Sequence, residues 1–173
     1  MNIGIHGKKF GEETKEVIIN VLSQLDRVNC KVTLSEEFKS YMLEADVQTT
    51  LEIYTKGDDL SYLDALITLG GDGTLLEAIT HIADKEVPIL GINTGRLGFL
   101  ATTAKEHIEY SIEQLVRRNY SFDERSLLSL QTNNNLFKGY NFALNDFAIL
   151  KKDTTSMIVV HAYVDGEFLN SYW

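Results

Sequence analysis

The chain has 173 residues, 44% of them hydrophobic and 24% charged, and a formal net charge of −9. Such a composition describes a globular protein rather than a disordered one, with room for one domain or one domain plus part of another. The acidic balance excludes DNA, RNA and anionic membrane as main partners, because those surfaces call for a basic face. It leaves nucleotides open, since backbone N–H groups and a metal ion can bind phosphate on an acidic protein.

No apolar run approaches the length of a membrane helix. The start, Met1-Asn2-Ile3-Gly4-Ile5, is strand-like and lacks the basic flank and cleavage site of a signal peptide. The single cysteine, Cys30, excludes a disulfide scaffold and fits a cytoplasmic location; it reads as a small apolar residue.

Asn2 to His6 is predicted as a first strand. Val17, Val21, Leu25 and Val28 repeat at helical spacing, with Ile18 and Leu22 beside them, and predict a helix over 12–28. Lys31 to Leu34 reads as a second strand, and Ser35 can cap a helix reaching about Ala45. Ala65 to Leu69 is an apolar run that ends at Gly70-Gly71, the pattern of a buried parallel strand entering a tight turn. A helix from Thr74 to about Asp84 follows, then a buried strand from Val87 to Ile92 that Pro88 can open. After a glycine-punctuated loop, Asn93 to Gly98, Thr103-Ala104-Lys105-Glu106 reads as a capping box that opens a helix to about Arg118. Strand–helix alternation over residues 1–120 predicts an α/β domain with an open, mostly parallel sheet.

The pattern changes near Tyr120. Ser126 to Gln131, Tyr140 to Leu150 and Ser156 to Val164 read as strands with no helices between them, and Asp165-Gly166 as a hairpin turn with positive φ. Residues 121–173 are therefore expected to be the start of an all-β domain, incomplete at the C-terminus, because so few strands leave an edge unpaired.

The chemistry concentrates in Gly70-Gly71-Asp72-Gly73-Thr74, between a strand and a helix. Its glycines admit close approach of a ligand, and the N–H groups of the helix start can surround phosphate oxygens. Asp72 would repel a phosphate unless it binds a metal or accepts a proton from an attacking hydroxyl, and both are tasks of phosphoryl transfer. A plain reading also stands: a tight turn with Asp72 as helix cap. The loop is neither a Walker loop nor a G-x-G-x-x-G fingerprint.

These five residues resemble the signature shared by NAD kinases, diacylglycerol and sphingosine kinases and, more loosely, phosphofructokinases. Gly91-Ile92-Asn93-Thr94-Gly95-Arg96-Leu97-Gly98-Phe99-Leu100 is similar to the NAD kinase segment G-x-N-x-G-x-L-G-F-L. Glu124-Arg125-Ser126-Leu127-Leu128 resembles its E-R-S-x-L segment, and Ala143-Leu144-Asn145-Asp146 falls where that family has Asn and an acid. The resemblance implies an NAD kinase, with ATP or polyphosphate as donor, a divalent cation such as Mg²⁺, and a homo-oligomer, dimer or tetramer. It implies Asp72 as the proton acceptor at the ribose 2′-hydroxyl and Gly70, Gly71, Gly73 and Thr74 as the phosphate loop. Gly73 would lie against the ligand and Phe99 would line the dinucleotide pocket. Asn145 and Asp146 would hydrogen-bond the adenosine part, and Ser156 is a further dinucleotide candidate.

Several of these residues have plainer readings. Phe99 in Leu-Gly-Phe-Leu fits a core position, Asn145-Asp146 fits a bulge in an apolar strand, and Arg125 fits a structural ion pair. His6, His81, His107 and His161 lack metal-ligand spacing and read as structural or surface residues, so no protein-held metal is expected.

The chain also departs from the family pattern. Asp146 replaces the usual Glu, and Glu77 stands where many members carry a basic residue, so phosphate charge must be neutralised from elsewhere. The family's Thr-Pro-x-Gly-Ser segment, which completes the pocket, would follow Trp173. Two rival functions remain: a lipid kinase, which needs an apolar groove and often a basic membrane face, and a non-catalytic nucleotide sensor, which needs no base in the loop.

Overall fold

A computed structural model describes residues 1–95, 98–134, 136–137, 139–152 and 157–173. The chain forms two compact units, Met1–Ser126 and Leu127–Trp173.

The first unit is built on six strands: β1 (Asn2–Gly7), β2 (Lys31–Ser35), β3 (Glu52–Tyr54), β4 (Ala65–Leu69), β5 (Ile89–Asn93) and β6 (Thr103–Ala104). They lie in the order β3-β2-β1-β4-β5-β6, and every pairing is parallel. Four helices connect or follow them: α1 (Glu12–Arg27), α2 (Glu36–Glu44), α3 (Asp72–Ile82) and α4 (Ile108–Val116).

Side-chain alternation along β1 sorts the two faces of the sheet. Ile3 and Ile5 join one buried cluster with Val17, Ile18, Val21 and Leu25 of α1, Phe38 and Met42 of α2, and Ile108, Ile112 and Leu115 of α4. Gly4 points the other way, and a Cβ there would meet Leu63, Leu66 and Tyr54. Those three belong to a second cluster with Ala78 and Ile82 of α3. The sheet is thus covered on both faces, which is why β4 is buried at all five positions. Cys30 is half-buried against the first cluster.

The strand order reverses between β1 and β4. From β1 the chain steps outward through β2 to β3, and from β4 it steps the other way through β5 to β6. The crevice at the carboxyl ends of two such neighbouring strands is where open α/β sheets bind ligands.

Ser35 caps α2 as expected: its Oγ accepts the Phe38 N–H at 3.3 Å. The expected capping box at Thr103 is not present. Thr103 and Ala104 instead pair with Ile92 and Asn93 as β6, and the helix begins only after a single 3-10 turn, Lys105–His107. Sheet hydrogen bonds outweigh a capping preference here. β3 escapes a pattern search because it has three residues and only Tyr54 of them is buried.

The second unit contains two short antiparallel pairs, β7 (Leu128–Ser129) with β8 (Phe142–Ala143), and β9 (Val160–Val164) with β10 (Glu167–Tyr172). The Asp165-Gly166 turn joins β9 to β10 with φ of 52° and 84°. The longer strands expected over 126–131 and 140–150 are not formed. A strand persists only where a neighbour completes its ladder, and these pair two at a time. No described residue of this unit is buried. Among the described residues no helix is long and apolar enough to cross a membrane.

Candidate active site at the glycine loop

The loop after β4 is shaped by steric necessity. Gly70 has φ of 156°, and a Cβ there would run into the Thr74 side chain, so no other residue fits without displacing Thr74. Gly71 is the N-cap of α3 and carries no side chain to cap it. The N–H groups of Thr74 and Leu75 turn back to the Gly71 carbonyl at 3.0 and 3.3 Å. Those of Asp72 and Gly73, at the helix start, have no intrahelical acceptor and are available to an anion.

Asp72 does not cap its own helix. Its carboxylate reaches across to the loop after β5 and accepts three backbone N–H groups: Phe99 at 2.8 Å on Oδ2, and Leu100 and Ala101 at 3.0 Å each on Oδ1. The reading of Asp72 as a helix cap is thereby overturned. The Ala101, Phe99 and Leu100 amides hold the carboxyl below the usual carboxylate range. Asp72 is ionised at neutral pH, and the stabilisation from this clamp is complete above about pH 4 and is lost as pH falls through the lowered pKa.

The loop after β5 is built to receive that carboxylate. Gly98 lies directly beneath it, where a Cβ would overlap all three carboxylate atoms. Buried Asn93 organises the turn: its Oδ1 accepts the Gly95 N–H at 2.8 Å and its Nδ2 donates to the Ala101 carbonyl at 3.3 Å. Gly91 lets Ala101 pack against β5, since a Cβ would come within 2.8 Å of the Ala101 Cα. Arg96 and Leu97 lie outside the described residues.

A cation stands at the same crevice. Lys8 directly follows β1, and its Nζ is 3.7 Å from where a Cβ on Gly73 would sit. It pairs with Glu77 at 3.3 Å, one helical turn into α3. Sequence patterns gave Lys8 no distinction; only the adjacency of β1 and β4 brings it to the loop.

The other candidates divide. Phe99 is 93% exposed, so a core role is overturned. Arg125 bonds Asp123 through Nε at 2.9 Å and Nη2 at 2.6 Å, in keeping with an ion pair. Asn145 and Asp146, in the second unit, are exposed and lie beyond the end of β8, so they are neither a bulge nor a buried pair within a strand. Ser156 lies outside the described residues. His6 and His81, far apart in sequence, come together with ring centroids 4.7 Å apart, against the expectation that the four histidines are scattered.

The family described as the ATP-NAD kinase N-terminal domain matches residues 3–120. The NAD kinase of Cytophaga hutchinsonii is 42% identical over 175 residues, covering 100% of this chain and 60% of the relative. That of Flavobacterium psychrophilum is 38% identical over 177 residues, with the same coverage, and that of Bacteroides fragilis is 33% identical, covering 99% of this chain and 59% of the relative. The chain thus spans about three-fifths of the length of these curated relatives. Among solved structures, yeast NADH kinase complexed with NADH superposes with a TM-score of 0.70 at 20% identity, covering 99% of this chain and 54% of that one, a likeness of fold. With more than half of its length matched, this chain belongs to the ATP-NAD kinase family through that family's N-terminal domain.

Proposed function

We propose that the protein is an NAD kinase, transferring the terminal phosphoryl group of ATP, or of polyphosphate, to the 2′-hydroxyl of the adenosine ribose of NAD. The observation that carries this reading is an ionised carboxylate, Asp72, held by three amides beside a glycine loop at the strand-order reversal. In the proposed step the 2′-oxygen attacks the terminal phosphorus, the bond to the bridging oxygen breaks, ADP (or a polyphosphate one unit shorter) leaves, and the hydroxyl proton passes to Asp72. The N–H groups of Asp72 and Gly73 and the Lys8 ammonium face the phosphate charge. Residues 1–120 supply this phosphate site, and 121–173 begin an NAD-binding domain in which Asn145, Asp146 and Ser156 meet the dinucleotide, while Phe99 offers it an apolar face.

The loop offers no cage for a resident divalent cation. Asp72 is its one carboxylate, and three amides leave it a single open lone pair, on Oδ2, enough for one hydroxyl proton but not for a cage. Mg²⁺ is therefore assigned to the substrate, entering on the triphosphate with most of its ligands from water and phosphate. A cytoplasmic location and a homo-oligomer complete the proposal. Neither the lipid-kinase nor the sensor reading is favoured by any observation: the net charge of −9 disfavours a membrane face, and a sensor needs no base.

The full-length protein with ATP, Mg²⁺ and NAD is expected to form NADP, with no phosphate transferred to diacylglycerol or sphingosine offered in its place. Lipid phosphorylation without NADP would overturn the proposal.

Lys8 supplies a second expected result. Its pairing with Glu77 is exposed, and such pairs are weak enough to yield to a phosphate. Lys8→Met should raise the KM for ATP about tenfold, the low end for losing a charge-assisted contact, with the KM for NAD little changed. Steady-state kinetics with each substrate varied would check it; an unchanged ATP constant would remove Lys8 from the donor site.

A further inference from the structure

We propose that this chain holds a transition-metal site, suited to Zn²⁺, formed by His6, His81 and Glu37 and separate from the phosphate loop. His6 is on β1, His81 in the last turn of α3 and Glu37 in the first turn of α2. One ligand atom from each lies within 4.8 Å of the others.

Two observations set this cluster apart from an ordinary group of polar side chains. Both imidazoles are buried, yet among the described residues His6 Nε2 and His81 Nδ1 find no hydrogen-bond partner. Buried polar atoms nearly always find one, so two orphans in touching rings call for an occupant. The two rings also lie with centroids 4.7 Å apart, which brings imidazoles from β1 and α3 to one place.

The surrounding contacts fit a ligand's second layer. His6 Nδ1 is 2.9 Å from Ser35 Oγ, which already accepts the Phe38 N–H. If the ring donates Nδ1–H there, the Nε2 lone pair is bare, the arrangement typical of metal-bound histidine. Tyr54 packs edge-on against His81, with ring centroids 5.7 Å apart. Glu77 Oε2 lies 3.8 Å from His6 Nε2, so a second carboxylate or a water can complete four-coordination.

The donor set chooses the class of ion. Two imidazoles and a carboxylate suit Zn²⁺ and its neighbours, whereas Mg²⁺ and Ca²⁺ prefer all-oxygen sites. Bonds of about 2.0–2.2 Å at tetrahedral angles put donors roughly 3.3 Å apart, so the cluster must tighten on binding. Glu37 is exposed at a helix start and can swing inward. A bound ion would tie α2 and α3 to the end of β1.

The test is a Zn²⁺ titration of the chelator-treated 173-residue chain against a chromophoric chelator. One Zn²⁺ per chain is expected, undisturbed by millimolar Mg²⁺. Glu37→Gln should weaken it at least tenfold, His81→Phe should abolish it, and Glu36→Gln, its exposed neighbour, should leave it unchanged. Should His81→Phe fail to fold, Glu37→Gln decides, because its side chain lies outside the core. Absence of stoichiometric binding, or equal binding by Glu37→Gln, would overturn the proposal and leave His6 and Glu77 as a strained polar contact.

Discussion

Asp72→Asn is expected to lower the NAD kinase turnover proposed for this protein by roughly 10²–10⁴, the range for removing a general base. The substitution also acts on the fold, because an amide cannot replace this carboxylate in its setting. Oδ1 takes two N–H groups and Oδ2 takes one, so either orientation of an Asn side chain sets its NH₂ against a backbone donor. The two roles separate by measurement. Hydrogen exchange of the Phe99, Leu100 and Ala101 amides reports the clamp, and these should lose protection. Single-turnover chemistry with saturating substrates reports the base. Near-normal turnover would remove Asp72 as proton acceptor, and unchanged amide protection would show that the clamp is dispensable.

Gly98→Ala should produce a loss of similar kind by a steric route, with Asp72 untouched in sequence. The added methyl would occupy the space of the carboxylate, so either Asp72 or the loop must move. A displacement near 1 Å at a reacting group costs about 10²-fold in rate, and turnover should fall by about that much while the core of the first unit stays folded. Gly95→Ala is the control. A Cβ at Gly95 would lie 4.0 Å from Asn93 Oδ1, ordinary contact distance, and should leave turnover close to that of the parent. Equal behaviour of the two variants in kcat would show that the seat beneath Asp72 is not what makes a glycine necessary at position 98.

The α/β half was legible because its signals are local and redundant. Val17, Val21 and Leu25 mark the buried side of α1 by spacing alone, and they are buried as that spacing requires. Ala65 to Leu69 declares a doubly covered strand because four of its five residues are apolar, on both faces. Thr103 misled because its capping pattern is local, whereas the β5 edge that captures it is not. At the site, the glycine loop could be read from residue types, since backbone geometry restricts them. The Asp72 clamp could not, because its donors are main-chain N–H groups 27 to 29 residues away and carry no side-chain signature. Lys8 and the His6–His81 contact were hidden for the same reason: parallel pairing of β1 with β4, not sequence distance, decides who meets whom. In the second unit the strands are shorter than the pattern of residues predicts. Alternation along 140–150 sets where a strand could form, but a ladder also needs a neighbour, and β8 extends only over Phe142–Ala143.

The carboxylate of Asp72 also has a topological consequence. By joining the start of α3 to the segment 99–101 it closes a ring of chain that contains all of α3, β5 and the turn organised by Asn93. Within such a ring neither crossover can drift alone: a shift of the helix start drags Phe99 with it, and a ligand pressing on Phe99 pulls back on the helix start. The exposed phenyl ring is thus a lever attached to the glycine loop. An acceptor resting on that ring and a donor resting on the loop would sense each other through three hydrogen bonds, without any contact between the two molecules.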